Sequence, residues 1–427
     1  MPELEVLPQN TQQELEKLGT VDIALGVPTF NNAEAIVPVI ESAQAGLKEF
    51  FPALRTVLIH ADGGSRDDTV QRVLEVARDS TRLLQVTFPM FPVDRLTTPY
   101  RGIPGRASAY RSILTLAQKM QARAAVLLDV DPANATTHSI EALARPVTER
   151  EFDLVVPYYT RHKFDGALIT GVLYPMMRSL FGKRLRQPIG EAFGISARLV
   201  NEYLANDVWN TDVSRPAIDL WMTSLAVSSG FRVCQSFLGA KAHHTRDGAP
   251  DVSAMLSQVL GSLFTEMERS APVWQRTRGS EPVPTFGPPS SVSVDPVPVN
   301  VKRIIESFRL GSQDLNEIWG RVLPPATLLE LKKLARISDD RFRLDDDVWA
   351  RILYDFSLAY RIRVIGRDHL LGAMTPLYLG WVASFILQVQ DAGPQEFETR
   401  LETLCLAFER QKPYLISRWR WPDRFNP

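Results

Sequence analysis

The chain has 427 residues, 45% of them hydrophobic, and a formal net charge of -1. That length exceeds one ordinary domain and suits two, with enough apolar residues for a normal core. The charge balance excludes the broad basic surface of a nucleic-acid-binding protein. Residues 1–19 are polar and acidic, so no secretion signal is expected. The longest apolar run, 377–387, is short of the ~20 residues of a membrane span. A cytoplasmic protein without a membrane span is therefore predicted. Cys234 and Cys405 lie far apart in apolar stretches, which predicts buried free thiols.

In chain order, residues 21–28 read as a buried strand ending at the polar turn Thr29-Phe30-Asn31-Asn32, and 33–49 as a helix. A second strand is expected over 56–60, then a helix over 67–79 capped by Ser65. Residues 84–88 are strand-like, 106–122 carry apolar residues at helical spacing, and 124–128 form a strong strand. Strands alternating with helices predict βαβ units and a mostly parallel sheet, so the fold class is α/β. Ligands in such sheets bind beyond the carboxyl ends of the strands. That rule marks 28–32, 61–65 and 129–131. A further strand is expected over 232–238.

Past Val200 the pattern becomes mainly helical, with one long helix over 251–269 that must end before Pro272. Residues 279–300 hold six prolines and read as an extended connector. From Val301 apolar residues recur at helical spacing, broken at Pro324-Pro325, 338–343 and 391–394. The predicted division is 1–248 for an α/β domain, 249–300 for a helix and Pro-rich connector, and 301–427 for a helical domain. The basic stretch 410–424 is interleaved with Tyr414, Trp419 and Trp421, and reads as a solvated helix end packed by aromatics.

Four segments carry chemistry. Val126-Leu127-Leu128-Asp129-Val130-Asp131 ends an apolar strand in two carboxylates at i and i+2, which point the same way on an extended chain. They repel, so something positive belongs between them, and a divalent cation bridging phosphates fits. A helix cap plus a solvated Asp is the plainer alternative. Lys241-Ala242-His243-His244 follows a strand, where a neutral imidazole can ligate a transition ion; a surface histidine pair is the alternative. Ala61-Asp62-Gly63-Gly64-Ser65 supplies glycines for a tight turn and close backbone approach, or only a turn before a capped helix. Gly105-Arg106 places a cation before a helix, where it can meet a phosphate or simply be solvated.

Taken together and in order, Pro28-Thr29-Phe30-Asn31, Asp62-Gly63-Gly64-Ser65, Gly105-Arg106 and Asp129-Val130-Asp131 resemble a GT-A glycosyltransferase. Arg186-Gln187-Pro188-Ile189-Gly190-Glu191, Ala217-Ile218-Asp219-Leu220 and Gly239-Ala240-Lys241-Ala242-His243 narrow the resemblance. They are similar to the retaining mannosylglycerate, glucosylglycerate and glucosyl-3-phosphoglycerate synthases, over about residues 21–244. The resemblance implies a GT-A, Rossmann-like nucleotide-sugar-binding domain with a mainly helical C-terminal region. It implies a hexosyltransferase that uses a nucleotide-diphosphate sugar donor, a small hydroxy-acid acceptor and Mg²⁺ or Mn²⁺, and it suggests a homodimer.

Residue by residue, it implies that Pro28, Thr29, Phe30, Asn32, Asp62 and Ser65 line the base and ribose pocket. The family often has Glu at the place of Asn32, and Gly63 replaces the second residue of a usual Asp pair. Arg106 stands for a family Lys that meets the diphosphate, keeping charge but changing geometry. Asp129 lies near ribose or donor sugar, and Asp131 and His243 bind the metal. Asp219, Ile189 and Gly190 lie beside the reacting centre. Arg161, Lys163 and Thr170 bind the acceptor. Ala167-Leu168-Ile169-Thr170 lacks the Arg of the enzymes that take 3-phosphoglycerate, which favours free glycerate, with the phosphorylated acceptor as the alternative. Rival readings are a nucleotidyltransferase, whose Gly-rich basic signature is missing from 27–32, and an inverting synthase, whose Gln-x-x-Arg-Trp is missing because Leu415 precedes Arg418-Trp419. The non-enzyme rival is a nucleotide-sugar-binding protein without catalysis.

Overall fold

The computed structural model describes residues 9–78, 82–90, 103–210, 214–241, 252–288 and 299–422. It folds as two compact units, and neither is a single stretch of chain. The first combines Met1–Thr160, Ile189–Lys241 and Val283–Val292; the second combines Arg161–Pro188, Ala242–Pro282 and Ser293–Pro427. The boundaries thus fall elsewhere than at 248/249 and 300/301. The reason is local: residues 161–188 leave the sheet after a strand and pack among C-terminal helices.

The strands are β1 (Ile23–Thr29), β2 (Thr56–Asp62), β3 (Leu83–Thr87), β4 (Ala124–Leu127), β5 (Leu154–Thr160), β6 (Lys183–Arg184), β7 (Phe193–Ser196), β8 (Val233–Ala240), β9 (Glu281–Pro282) and β10 (Thr285–Phe286). Among the described residues the first unit holds an eight-stranded sheet in the order β10-β8-β5-β7-β4-β1-β2-β3. Only β7 runs antiparallel to its neighbours, so the sheet is mixed α/β as predicted. Every residue of β1 is buried, which is why it reads as a continuous apolar run. Ile23, Leu25 and Val27 meet Ile36, Val39, Ile40 and Ala43 of the helix Ile36–Phe50 on one face. On the other face Gly26 admits the helix Arg106–Lys119, because a Cβ there would lie 2.3 Å from Ile113 Cγ2.

Several boundaries move. β1 and β2 run on to Thr29 and Asp62, carrying those polar side chains into buried positions. Ser65 does not cap the next helix, which starts at Thr69; Asp67 accepts from the Thr69 N–H at 3.1 Å instead. Two short pieces of the connector are paired into sheets. β9 pairs with β6, and β10 adds a parallel strand beside β8.

The second unit is mainly helical, with long helices Asp346–Ile362, Thr375–Val389 and Pro394–Arg420. A short π-helix, Ile169–Leu173, packs closely here: a Cβ on Gly171 would lie 2.0 Å from the Trp381 ring, and Gly171 O accepts from Trp349 Nε1 at 2.9 Å. Arg178 is fully buried and donates to Glu402 at 2.5 and 2.7 Å and to Glu409 at 2.7 Å. Lys412 donates to the carbonyls of Ser179, Leu180 and Thr277. The stretch Arg367–Val389 is long and apolar enough to cross a bilayer by length and composition, but 72% of its apolar window is buried inside the protein. That stretch joins the helices Arg367–Ala373 and Thr375–Val389, so it exceeds the uninterrupted run 377–387. Cys234 and Cys405 are buried and free, as predicted.

Candidate active site

Two polar clusters form at the carboxyl ends of the first unit's strands. The outer one joins the ends of β1 and β2. Asp62 takes the Thr29 and Ser65 hydroxyls on Oδ1 at 2.8 and 2.6 Å, and the Gly64 and Ser65 N–H groups on Oδ2 at 2.8 Å each. Its carboxylate therefore braces two loops. Ser65 Oγ also accepts from Asn31 N at 2.8 Å, and Asn31 Oδ1 accepts from Arg66 N at 2.9 Å. Asn31 has φ +54°, a left-handed conformation that Asn tolerates better than most residues. Asn32 Oδ1 accepts from Phe30 N at 2.8 Å, two residues back, which ties the turn after β1, and both side chains are half-buried. Pro28 is buried at the end of β1. Gly63 has no room for a second acidic side chain, since a Cβ would lie 2.7 Å from the Phe88 ring. Beneath lies His60, fully buried, with Nε2 2.8 Å from Thr29 Oγ1. Burial pushes its imidazole pKa down, so it stays neutral.

The inner cluster is electrostatic. Arg106 opens its helix behind Gly105, which has φ +67°. Its Nη1 lies 3.3 Å from Asp219 Oδ2, with the two side chains 8% and 0% exposed. Burial opposes the guanidinium charge, but Asp219, Glu191 and Asp129 together hold its pKa above the ordinary value. Asp219 Oδ2 also accepts from Glu191 N at 3.1 Å, and Glu191 O accepts from Tyr110 Oη at 3.1 Å. These bonds hold Glu191 at φ +63°, unusual for a residue with a side chain. The turn begins at Gly190, where a Cβ would lie 2.2 Å from Pro157 Cγ; Ile189 is buried beside it.

Asp131 and Glu191 meet through Lys241, whose Nζ is 3.1 Å from Asp131 Oδ2 and 3.0 Å from Glu191 Oε2. Asp131 accepts further bonds from Ala133 N at 3.1 Å and from Asn134 Nδ2. Burial raises the Asp131 pKa, but Lys241 and these donors outweigh it and leave it below the usual range. Asp129 goes the other way: burial and the nearby Glu191 push it to about 7, against Lys241 and Arg106.

The structure thus brings together Arg106, Asp129, Asp131, Gly190 and Asp219, all singled out in the sequence. Glu191, Tyr110 and Lys241 join them without a sequence-based role. Arg161, Lys163 and Thr170 fall in the second unit. There Arg161 pairs with Asp165 at 2.9 Å, Lys163 donates to the carbonyls of Gln390 and Ala392 at 2.5 and 3.0 Å, and Thr170 lies in the π-helix. His243 lies outside the described residues.

No protein-family model and no curated protein matches the chain. Among solved structures, it is similar to glucosyl-3-phosphoglycerate synthase of Mycobacterium tuberculosis, with 19% identity and a TM-score of 0.39 over 60% of this chain and 85% of that one. The same synthase in complex with Mn²⁺, uridine diphosphate and glucosyl-3-phosphoglycerate matches with 19% identity and a TM-score of 0.40, over 62% and 85% of the chains. Its complex with Mn²⁺, UDP-glucose and phosphoglyceric acid matches with 20% identity and a TM-score of 0.38, over 62% and 85%.

Proposed function

We propose that this chain is a retaining GT-A glycosyltransferase. It moves glucose or mannose from a nucleotide-diphosphate sugar to D-glycerate or a similar small hydroxy-acid, in the cytoplasm and with Mg²⁺ or Mn²⁺. The observation that carries the reading is the inner cluster at the strand ends. Among the described residues it sets four carboxylates, Asp129, Asp131, Glu191 and Asp219, against two cations, Arg106 and Lys241, a formal charge of -2 with Asp129 ionised. A divalent cation fits that excess. The carboxylate oxygens are hard donors of the type Mg²⁺ and Mn²⁺ take. In the same loop Asn134 Oδ1 is buried without a hydrogen-bond partner, which adds a further oxygen of suitable kind.

Asp131 and His243 would hold the ion, and its chemistry when bound is to neutralise the charge that develops on the departing diphosphate. The chain's own residues do the rest. Arg106, at a helix N-terminus, offers a fixed cation and backbone amides to phosphate oxygens. Asp219 is fully buried and already engaged by Arg106 and by the Glu191 N–H, which suits positioning rather than nucleophilic attack. The Ile189-Gly190 backbone lies next to this pair, where the acceptor hydroxyl attacks on the face from which the phosphate leaves. Pro28, Thr29, Phe30, Asn32, Asp62 and Ser65 form the base and ribose pocket, with Asp62 bracing it. Arg161 and Thr170 serve the acceptor. Lys163 is held by two backbone carbonyls, which supports an acceptor without a phosphate.

The test is a screen pairing UDP-glucose, GDP-glucose and GDP-mannose with D-glycerate, D-lactate and 3-phosphoglycerate, each with Mg²⁺, Mn²⁺ or EDTA. Metal-dependent release of nucleoside diphosphate with D-glycerate is expected. Turnover only with 3-phosphoglycerate would reassign the acceptor. Nucleotide binding with no turnover for any pair would sink the enzyme reading in favour of a binding protein.

A further inference from the structure

Lys241 immediately follows β8, at a place where a strand meets two acidic loops. Its backbone N–H donates to Thr160 O at 2.9 Å, which fixes the base of the side chain. Its Nζ reaches Asp131, from the loop after β4, and Glu191, from the turn before β7. The ammonium also stands 5.1 Å from the centre of the Tyr159 ring, and the residue is 8% exposed. This is a built, buried contact, unlike a surface ion pair whose partners are mostly in water.

An ammonium and a metal ion are rivals for one carboxylate. On Asp131, Oδ1 takes the Ala133 N–H, while Oδ2 takes Asn134 Nδ2 and Lys241 Nζ. The backbone donor cannot leave without refolding the loop. The lysine sits on a four-carbon flexible stem and can. We propose that Lys241 is a built-in counter-ion that a divalent cation must displace from Asp131, so that the acid cluster is partly charge-balanced without metal and metal affinity is set by this exchange. The inference rests on Asp131 being a metal ligand, as proposed above.

Removing the ammonium takes away both the competitor and a repelling charge. Free Mn²⁺ is measured by electron paramagnetic resonance while full-length wild type, Lys241→Met, Lys241→Arg and Asp131→Asn are titrated with Mn²⁺ alone. Lys241→Met is expected to bind Mn²⁺ roughly tenfold more tightly than wild type, the scale of one partly buried charge. Lys241→Arg, which keeps the charge and grips two carboxylates with a fork, is expected to bind no more tightly than wild type. Equal or weaker Mn²⁺ binding by Lys241→Met would overturn the proposal. If Lys241→Met does not fold, Lys241→Arg decides, and tighter binding by it would overturn the proposal. The reading beneath has its own control: Mn²⁺ binding unchanged by Asp131→Asn removes the metal site itself, whatever the lysine variants do.

Discussion

At Gly190 a single hydrogen stands where any other residue would place a carbon 2.2 Å from Pro157 Cγ. Gly190→Ala must push β5 or the turn before β7 out of place. Overpacking of this kind costs roughly 1–3 kcal/mol, and it would also tilt Glu191 off its bonds to Tyr110 and Asp219. A lowered melting temperature with lost turnover is expected; wild-type values for both would show that the turn has slack. Asp131→Ala makes a sharper cut. It should abolish metal-dependent turnover while leaving nucleotide binding through the outer cluster, as read by calorimetry with UDP or GDP. Turnover equal to wild type would remove Asp131 from the metal site. Much of this site could be read from the sequence, because Asp129 and Asp131 announce themselves by spacing. Glu191 could not. Its conformation is imposed by Tyr110 and Asp219, 81 and 28 residues away, and no local pattern reports that. The positive charge expected beside Asp131 is there, but Lys241 supplies it in the described structure.

At the scale of elements, the legible strands are those buried on both faces, such as β1, whose side chains alone specify them. β9 and β10 are two residues each, and only a waiting edge makes them strands, so the proline-rich segment around them read as an extended connector. Ser65 read as a helix cap because a Ser before a helix usually is one; here it ties two loops. The helix pair Asp346–Ile362 and Pro394–Arg420 carries a testable titration. Between them Asp355 is buried, with Tyr414 Oη donating to it at 2.8 and 3.0 Å and Arg418 Nε 3.3 Å away as an ion pair. Burial, only partly offset by Arg418 and Tyr414, raises its pKa from 3.8 to about 7. The folded state therefore keeps a proton that the unfolded chain has lost. The stability from that proton is full below about 3.8 and is lost as pH rises through about 7. Asp355→Asn should flatten this slope, which amounts to roughly 4 kcal/mol between pH 4 and 8. Identical melting curves against pH in both proteins would place the titration elsewhere.

At the scale of the whole molecule, the chain enters and leaves each unit more than once, and this was illegible because it depends on which distant helix receives residues 161–188. A fragment cut at 248 would strip Arg178 of Glu402 and Glu409, leaving a buried cation unpaired, and would lose β10 from the sheet. Such a fragment is expected to be insoluble or to lack cooperative melting, as judged by circular dichroism. A fragment 1–248 that melts as sharply as the full chain would contradict this. The Arg178 contacts also bear on biosynthesis. Its carboxylate partners lie 224 and 231 residues downstream, in the helix Pro394–Arg420. The pocket that receives this guanidinium therefore does not exist while the ribosome is still translating the last helix. Residues 161–188 must wait, exposed, for more than two hundred further residues, and contacts so far apart in sequence form slowly. The second unit cannot be completed before that helix has been made, and until then the nascent chain is a natural client for a chaperone that shields apolar helices.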